Sequence, residues 1–162
     1  MKPSHTYDFR QVTMEDLDLL NAWQSHPHVR EWWSADEPYD ERDLNDPLVA
    51  RWIVSTNGNS FGFMQDYGLQ GLERHHFAHL PEGTRGIDQF IGDPKMIGLG
   101  HGSAFIAQRM QALCERGVPV IATDPHPENT RAIAVYRKLG FEVFGPPQET
   151  EWGLILPMKA VL

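Results

Sequence analysis

The stretch Lys95-Met-Ile-Gly-Leu-Gly-His-Gly102 constrains this chain more than any other. It follows the apolar run Gly86 to Ile91. After it, Phe105, Ile106, Met110, Leu113 and Cys114 recur at helical spacing. A strand, then glycines, then a helix predicts an α/β fold that offers backbone N–H groups to an anion. Glycines let the chain approach closely, and the helix N-terminus adds positive dipole. A phosphorylated ligand is the expectation. A glycine-rich turn capping an ordinary helix is the alternative.

Two familiar phosphate motifs do not fit. A P-loop needs lysine before its last Ser or Thr, and Gly102 is followed directly by Ser103. A dinucleotide fingerprint beginning at Gly98 needs glycine where Ser103 stands. What remains is a basic residue, two spacers and Gly-x-Gly, Lys95 to Gly100.

The 162 residues suit one domain, residues 1–162, and 41% hydrophobic content predicts a packed core. Lys plus Arg number 14 and Asp plus Glu 22, a net charge of −8. That argues against a nucleic-acid partner and permits a cationic substrate. The N-terminal residues show no apolar signal region, and no run reaches membrane-spanning length. With a single cysteine, Cys114, read as a core thiol, the expected setting is a reducing cytoplasm.

Along the chain, strands are expected at Tyr7–Val12, Leu48–Ser55, Ser60–Leu69, Thr84–Ile91, Val118–Thr123, Phe141–Phe144 and Trp152–Leu156. Asn57-Gly58 marks a hairpin. Helices are expected after Thr13, as a short turn at His28–Trp33, from Gly102 to Arg116, and from Asn129 to Leu139. The order predicts an α/β domain with one mixed sheet.

Several side chains carry possible chemistry. Alternation along Ile87–Ile91 puts Asp88 opposite Ile87 and Gln89, an acid in an apolar strand. Such an acid is expected to be partly desolvated and more basic, or else paired with Arg85 or capping a turn. Asp124, ending an apolar strand before Pro125, reads as a ligand acid or a turn former. Asp66, in the second hairpin strand, is a further candidate for the same pocket. Tyr136 lies on an apolar helix face, and Asn129 is placed to cap that helix. Trp32 and Trp33 are candidates to stack on a sugar or a cation, with one of the pair, not fixed by the sequence, expected in the core. His75, His76 and His79 read as solvated loop histidines, and no metal site is expected. No Ser/His/Asp order points to a hydrolase.

Lys95 to Gly100 resembles the pyrophosphate loop of the GCN5-related N-acetyltransferases. Asn129-Thr-Arg-Ala-Ile-Ala-Val-Tyr-Arg-Lys-Leu-Gly-Phe141 resembles their late helix. With Gly86-Ile-Asp-Gln89, Thr123-Asp-Pro125 and Val29-Arg-Glu-Trp-Trp33, the likeness is to the aminoglycoside 6′-N-acetyltransferase branch, concentrated between Arg85 and Gly145. It implies a mixed, mostly antiparallel sheet of six to seven strands flanked by about four helices. It implies acetyl-coenzyme A as co-substrate, no metal, and direct transfer to the 6′-amine of an aminoglycoside, by a monomer or homodimer.

Residue by residue, the resemblance implies that Phe90 and Ile91 hold the pantetheine arm. Ile97, Gly98, Leu99, Gly100, His101 and Gly102 would bind the pyrophosphate through backbone N–H groups, and Asn129 would contact the arm. Tyr136 would lie near the sulfur as proton donor. Asp88 would be the general base, with Asp124 and Trp33 lining the acceptor pocket. The segment from Glu73 to Glu82 matches no part of the family pattern. The alternatives are a siderophore hydroxylamine, a polyamine or another amino sugar as acceptor, or a binding module without chemistry.

Overall fold

The computed structural model describes residues 6–33 and 38–162. The reading of the first residues as lacking a signal region falls partly on residues 1–5, outside the described ones. In chain order the described elements are β1 (Asp8–Gln11), α1 (Leu17–Gln24), α2 (Pro27–Arg30), α3 (Glu41–Leu44), β2 (Val49–Thr56), β3 (Asn59–Gly68), β4 (Arg85–Ile91), α4 (His101–Glu115), β5 (Val120–Thr123), α5 (Thr130–Lys138), β6 (Glu142–Val143), β7 (Gln148–Thr150), β8 (Gly153–Ile155) and β9 (Met158–Val161). Seven strands form one sheet in the order β1-β2-β3-β4-β5-β9-β6, and β7 pairs with β8 in a separate ribbon. Pairing is antiparallel for β1 with β2 and for β9 with both β5 and β6, and parallel for β4 with β5.

The chain gathers into two compact units, Met1–Asp66 with Asp88–Phe105, and Tyr67–Ile87 with Ile106–Leu162. The first is built on Val12, Leu20, Trp23, Ile53 and Phe63, with Trp33, Tyr39, Leu44 and Phe90 packed against them. Its entry is set by Thr13. The Thr13 N–H donates to Asp16 Oδ2 at 2.8 Å, and Arg10 binds both Asp16 oxygens at 2.7 and 2.9 Å. The Arg10 guanidinium holds the Asp16 carboxyl below the usual carboxylate range, with burial working against it.

In the second unit, all four residues of β5 are buried, and β9 pairs with it from Val120↔Val161 to Thr123↔Met158. Asn129 Oδ1 accepts the Ala132 N–H at 3.2 Å, which starts α5. At its other end the Phe141 N–H bonds the Tyr136 carbonyl at 3.0 Å, turning the chain out of the helix.

Three expectations change. Cys114 is exposed, not a core thiol. The buried face of α4 is set by Phe105, Ile106, Arg109, Met110 and Leu113. At 100° per residue, Cys114 stands roughly 110° from the middle of that face. Trp152 sits in the turn before β8, and β8 joins the small ribbon rather than the main sheet. The main-sheet strand at that end is β9, whose four residues are too short a run to announce themselves.

Candidate active site

Strand β4 carries the acid and explains its own opening glycine. A Cβ on Gly86 would meet the Tyr67 ring at 2.2 Å, so the strand passes that ring only with no side chain there. Two residues on, the Gln65 amide donates from Nε2 to Asp88 Oδ2 at 2.9 Å. Two further on, the Phe90 ring stacks on Phe63, with centroids 5.3 Å apart. Gly86, Asp88 and Phe90 therefore share the face that Tyr67, Gln65 and Phe63 present. Ile87 points the other way and is wholly buried. The alternation expected for Asp88 is what the strand shows, and its partner is an amide the sequence reading did not single out.

The wall beside Asp88 is aromatic. Trp33 meets Phe90 and Phe63 edge to face, with ring centroids 5.0 and 5.7 Å apart, and Tyr39 stacks on Phe63 with centroids 6.2 Å apart. Of the tryptophan pair, Trp33 packs against the core, while Trp32 is 42% exposed. The Arg51 guanidinium lies over the Tyr39 ring, 4.7 Å from its centroid, and its Nη1 donates to the Asp43 carbonyl. Burial raises the Tyr39 phenol above its usual value; Arg51 opposes this, and the charge of Asp88 adds to it. Among the described residues, Gln65 Oε1 has no hydrogen-bond partner and is buried. That is an uncompensated acceptor beside a carboxylate.

Asp66 lies elsewhere. One residue along β3 from Gln65, it faces the opposite side, is wholly buried, and accepts the Trp52 indole N–H on Oδ2 at 3.1 Å.

After β4 the loop takes the form the glycines require. Gly98 and Gly100 have φ of 77° and 85°, the left-handed region that favours glycine. Leu99 between them is 64% exposed. The Ala104 N–H bonds the Gly100 carbonyl at 3.2 Å, so α4 starts at the end of the loop. The side chain of His101 turns inward, its Nδ1 2.8 Å from the Tyr7 hydroxyl, which leaves only its backbone for an anion. The Ile91 carbonyl is bonded by His28 Nε2 at 2.8 Å.

In the second unit, Tyr136 is buried, its ring 5.3 Å from Phe141. Asp124, at the end of β5, receives His76 Nε2 on Oδ2 at 2.8 Å. His76 is therefore not a solvated loop histidine: its side chain is 6% exposed, and that of Asp124 16%. His75 stacks on His76 at 4.0 Å, while His79 is exposed near Phe144. Among the described residues no group of three or more His, Cys, Asp or Glu is placed to hold a metal ion.

A family model, acetyltransferase (GNAT) domain, matches residues 12–147. The chain belongs to that family. The acetyltransferase match covers β4, the glycine loop, α4 and α5. The chain is 32% identical over 145 residues to aminoglycoside N(6′)-acetyltransferase type 1 of Klebsiella pneumoniae, covering 82% of this chain and 72% of that one. It is 25% identical over 160 residues to spermidine N(1)-acetyltransferase of Escherichia coli, covering 90% and 77%. The fold matches a crystal structure of aminoglycoside acetyltransferase AAC(6′)-Ib in complex with coenzyme A and kanamycin, with a TM-score of 0.82 and 30% identity over 96% of this chain and 95% of that one. The mixed sheet of seven strands, mostly antiparallel, is the GNAT fold. Among the described residues, no helix is long and apolar enough to cross a membrane.

Proposed function

We propose that this chain transfers the acetyl group of acetyl-coenzyme A to the 6′-amine of an aminoglycoside, directly and in a ternary complex. The observation that carries the reading is Asp88, an acid held by Gln65 Nε2 at 2.9 Å within an aromatic wall. Similarity to aminoglycoside acetyltransferases over most of the chain supports the acceptor class.

The loop suits the donor. An α-helix leaves its first N–H groups without intrahelical partners, and Gly98 and Gly100 bring the backbone close to them. In our reading the N–H groups from Ile97 to Gly102 take the pyrophosphate. Strand β4 pairs with β5 at Arg85↔Ile121 and Gly86↔Ala122, then runs on to Ile91. That further length, with Phe90 and Ile91, is the strand edge along which an extended pantetheine arm would add its own hydrogen bonds. Asn129 contacts the arm beyond it.

The acceptor arrives as an ammonium, since an alkyl amine has a reference pKa of about 10. Asp88 binds it and takes one proton, directly or through water, which frees the nitrogen lone pair. The lone pair attacks the thioester carbonyl and an N–C bond forms. The C–S bond then breaks, and Tyr136 protonates the departing thiolate. The second nitrogen proton restores Tyr136 and completes the balance: amide, coenzyme A thiol and one proton to solvent. Trp33 packs against the acceptor ring, and Asp124 faces a further ammonium. The donor is an intracellular metabolite, so in our reading the reaction is cytoplasmic, carried out by a monomer or a homodimer.

The test is coenzyme A release with a panel of amines, read together with product mass. Kanamycin should gain one acetyl group, and an analogue with a 6′-hydroxyl none. Turnover of spermidine or of a lysine hydroxylamine in preference to kanamycin would replace the acceptor. No release with any amine would leave a binding module. Separately, acetyl-coenzyme A should raise the melting temperature, and Gly100→Val should remove most of that shift. Space is open at Gly100, so the harm comes from its φ of +85°. Full binding by a folded Gly100→Val would refute the loop assignment.

A further inference from the structure

The segment outside the family pattern supplies one side chain with a specific partner. His76 Nε2 is 2.8 Å from Asp124 Oδ2, and the two side chains are 6% and 16% exposed. A donor carrying a titratable positive charge thus stands where a substrate ammonium would stand on that carboxylate. We propose that His76 determines acceptor specificity by occupying Asp124 as a built-in cation that competes with an acceptor's second ammonium. The inference rests on the reading that Asp124 faces the acceptor.

The surroundings decide which of the stacked imidazoles carries the proton. The Phe77 N–H donates to His75 Nδ1 at 3.1 Å, so neutral His75 keeps its proton on Nε2. Burial, then the charge of His76, push His75 down to about 4, and Glu151 opposes them. His75 is therefore neutral at physiological pH, and His76, beside a carboxylate, is the member suited to charge. Groups facing His76 among the described residues include Asp124 at the end of β5, His75 and Phe77 in its own loop, and Trp152 in the β7–β8 turn next to Glu151. Tyr67 of β3 closes the far side of His75, 5.9 Å away.

The consequence concerns how many amines contribute to binding. With His76 protonated, the charge of Asp124 is cancelled and an acceptor gains little by presenting an ammonium there. With His76 neutral, the imidazole still orients the carboxylate but no longer cancels its charge. Many-amine acceptors should then gain affinity as the pH rises through the imidazole range, while their own amines stay protonated.

The experiment measures the dissociation constant of kanamycin on coenzyme A-loaded protein by calorimetry, at about pH 6 and about pH 8, on either side of the ordinary imidazole range. Wild type should bind more tightly at the higher pH. His76→Asn should bind roughly threefold to tenfold more tightly than wild type at the lower pH, with the advantage shrinking at the higher. Its effect should be smaller for a monoamine sugar. At the higher pH, where His76 is neutral, Asp124→Asn should weaken binding roughly tenfold, and the double variant should match it, since no carboxylate charge is left to compete for. Should His76→Asn not fold, His76→Gln takes its place. Weaker binding by the folded His76 variant, or no change at either pH, overturns the proposal. A second readout is independent of activity: the His76 titration followed by NMR should move to lower pH in Asp124→Asn, and an unmoved titration also overturns it. Release of no coenzyme A with any amine would sink the functional reading and this one with it. Release without any His76 effect would sink this one alone.

Discussion

Asp88, in the middle of β4, and Asp124, just past the end of β5, are two acids with different kinds of partner. Asp88 receives a neutral amide, Gln65 Nε2 at 2.9 Å, and Asp124 an imidazole, His76 Nε2 at 2.8 Å. The distances are nearly equal, but the chemistry differs. An amide donor carries the same charge at every pH, so it orients a carboxylate without ever neutralising it. An imidazole changes charge near neutrality and modulates its carboxylate. On the proposed reading, the comparison teaches that a proton-transfer acid gains from a constant partner, while a binding acid can be tuned by a titrating one.

The largest expected effect would break the comparison on the Asp88 side. Asp88→Asn should lower kcat by roughly 10²-fold or more, the usual range for loss of a general base, with donor binding little changed. Steady-state rates across pH, with thermal shifts by acetyl-coenzyme A, measure both. A variant as active as wild type at every pH would make the two acids equivalent and remove the base assignment.

Next in size is Asp124→Asn, expected to raise the acceptor KM roughly tenfold and leave kcat nearly intact, because one charged hydrogen-bond partner is lost. If kcat falls as far as it does for Asp88→Asn, the division into a reacting and a binding acid fails.

Gln65→Leu sharpens the same contrast. It removes the N–H on Asp88 and the orphaned Oε1 together. A roughly threefold to tenfold fall in kcat is expected, with a displaced acid limb in the pH profile. Gln65→Asn should restore less than the native amide does, since it is one methylene short. An unaltered profile would make the contact incidental.

The smallest effect lies on the Asp124 side and concerns stability. His75 takes its proton near 6.5 when unfolded but only at about 4 when folded. The unfolded state therefore binds more protons in that window, and stability falls as the pH drops from about 6.5 to about 4. Denaturant melts of His75→Gln should show a shallower fall over that window than wild type. An equal slope would mean that His75 is not held neutral.

Much of this was legible in the sequence because it is local. Gly98 and Gly100 announce the loop through the backbone conformation they alone adopt easily. Asn129 announces α5 through a bond to the backbone three residues on. Alternation placed Asp88 correctly, since a strand inverts its side chains at each step. The same logic misplaced Cys114, because an apolar residue at helical spacing shows which stripe exists but not where its edge falls. It also missed β9, whose partners are supplied by β5 and β6.

What the sequence alone determined, then, is the order of the elements from β1 to β6 apart from α3, the glycine turn into α4, the family and which acids are candidates. What only the tertiary structure decided is whom those acids meet. Gln65 lies 23 residues from Asp88, and His76 lies 48 from Asp124. Contacts of that span are set by strand register and by the path of a loop, which neither propensity nor periodicity encodes. His76, in a segment that read as solvated loop, thereby became the partner of a half-buried carboxylate.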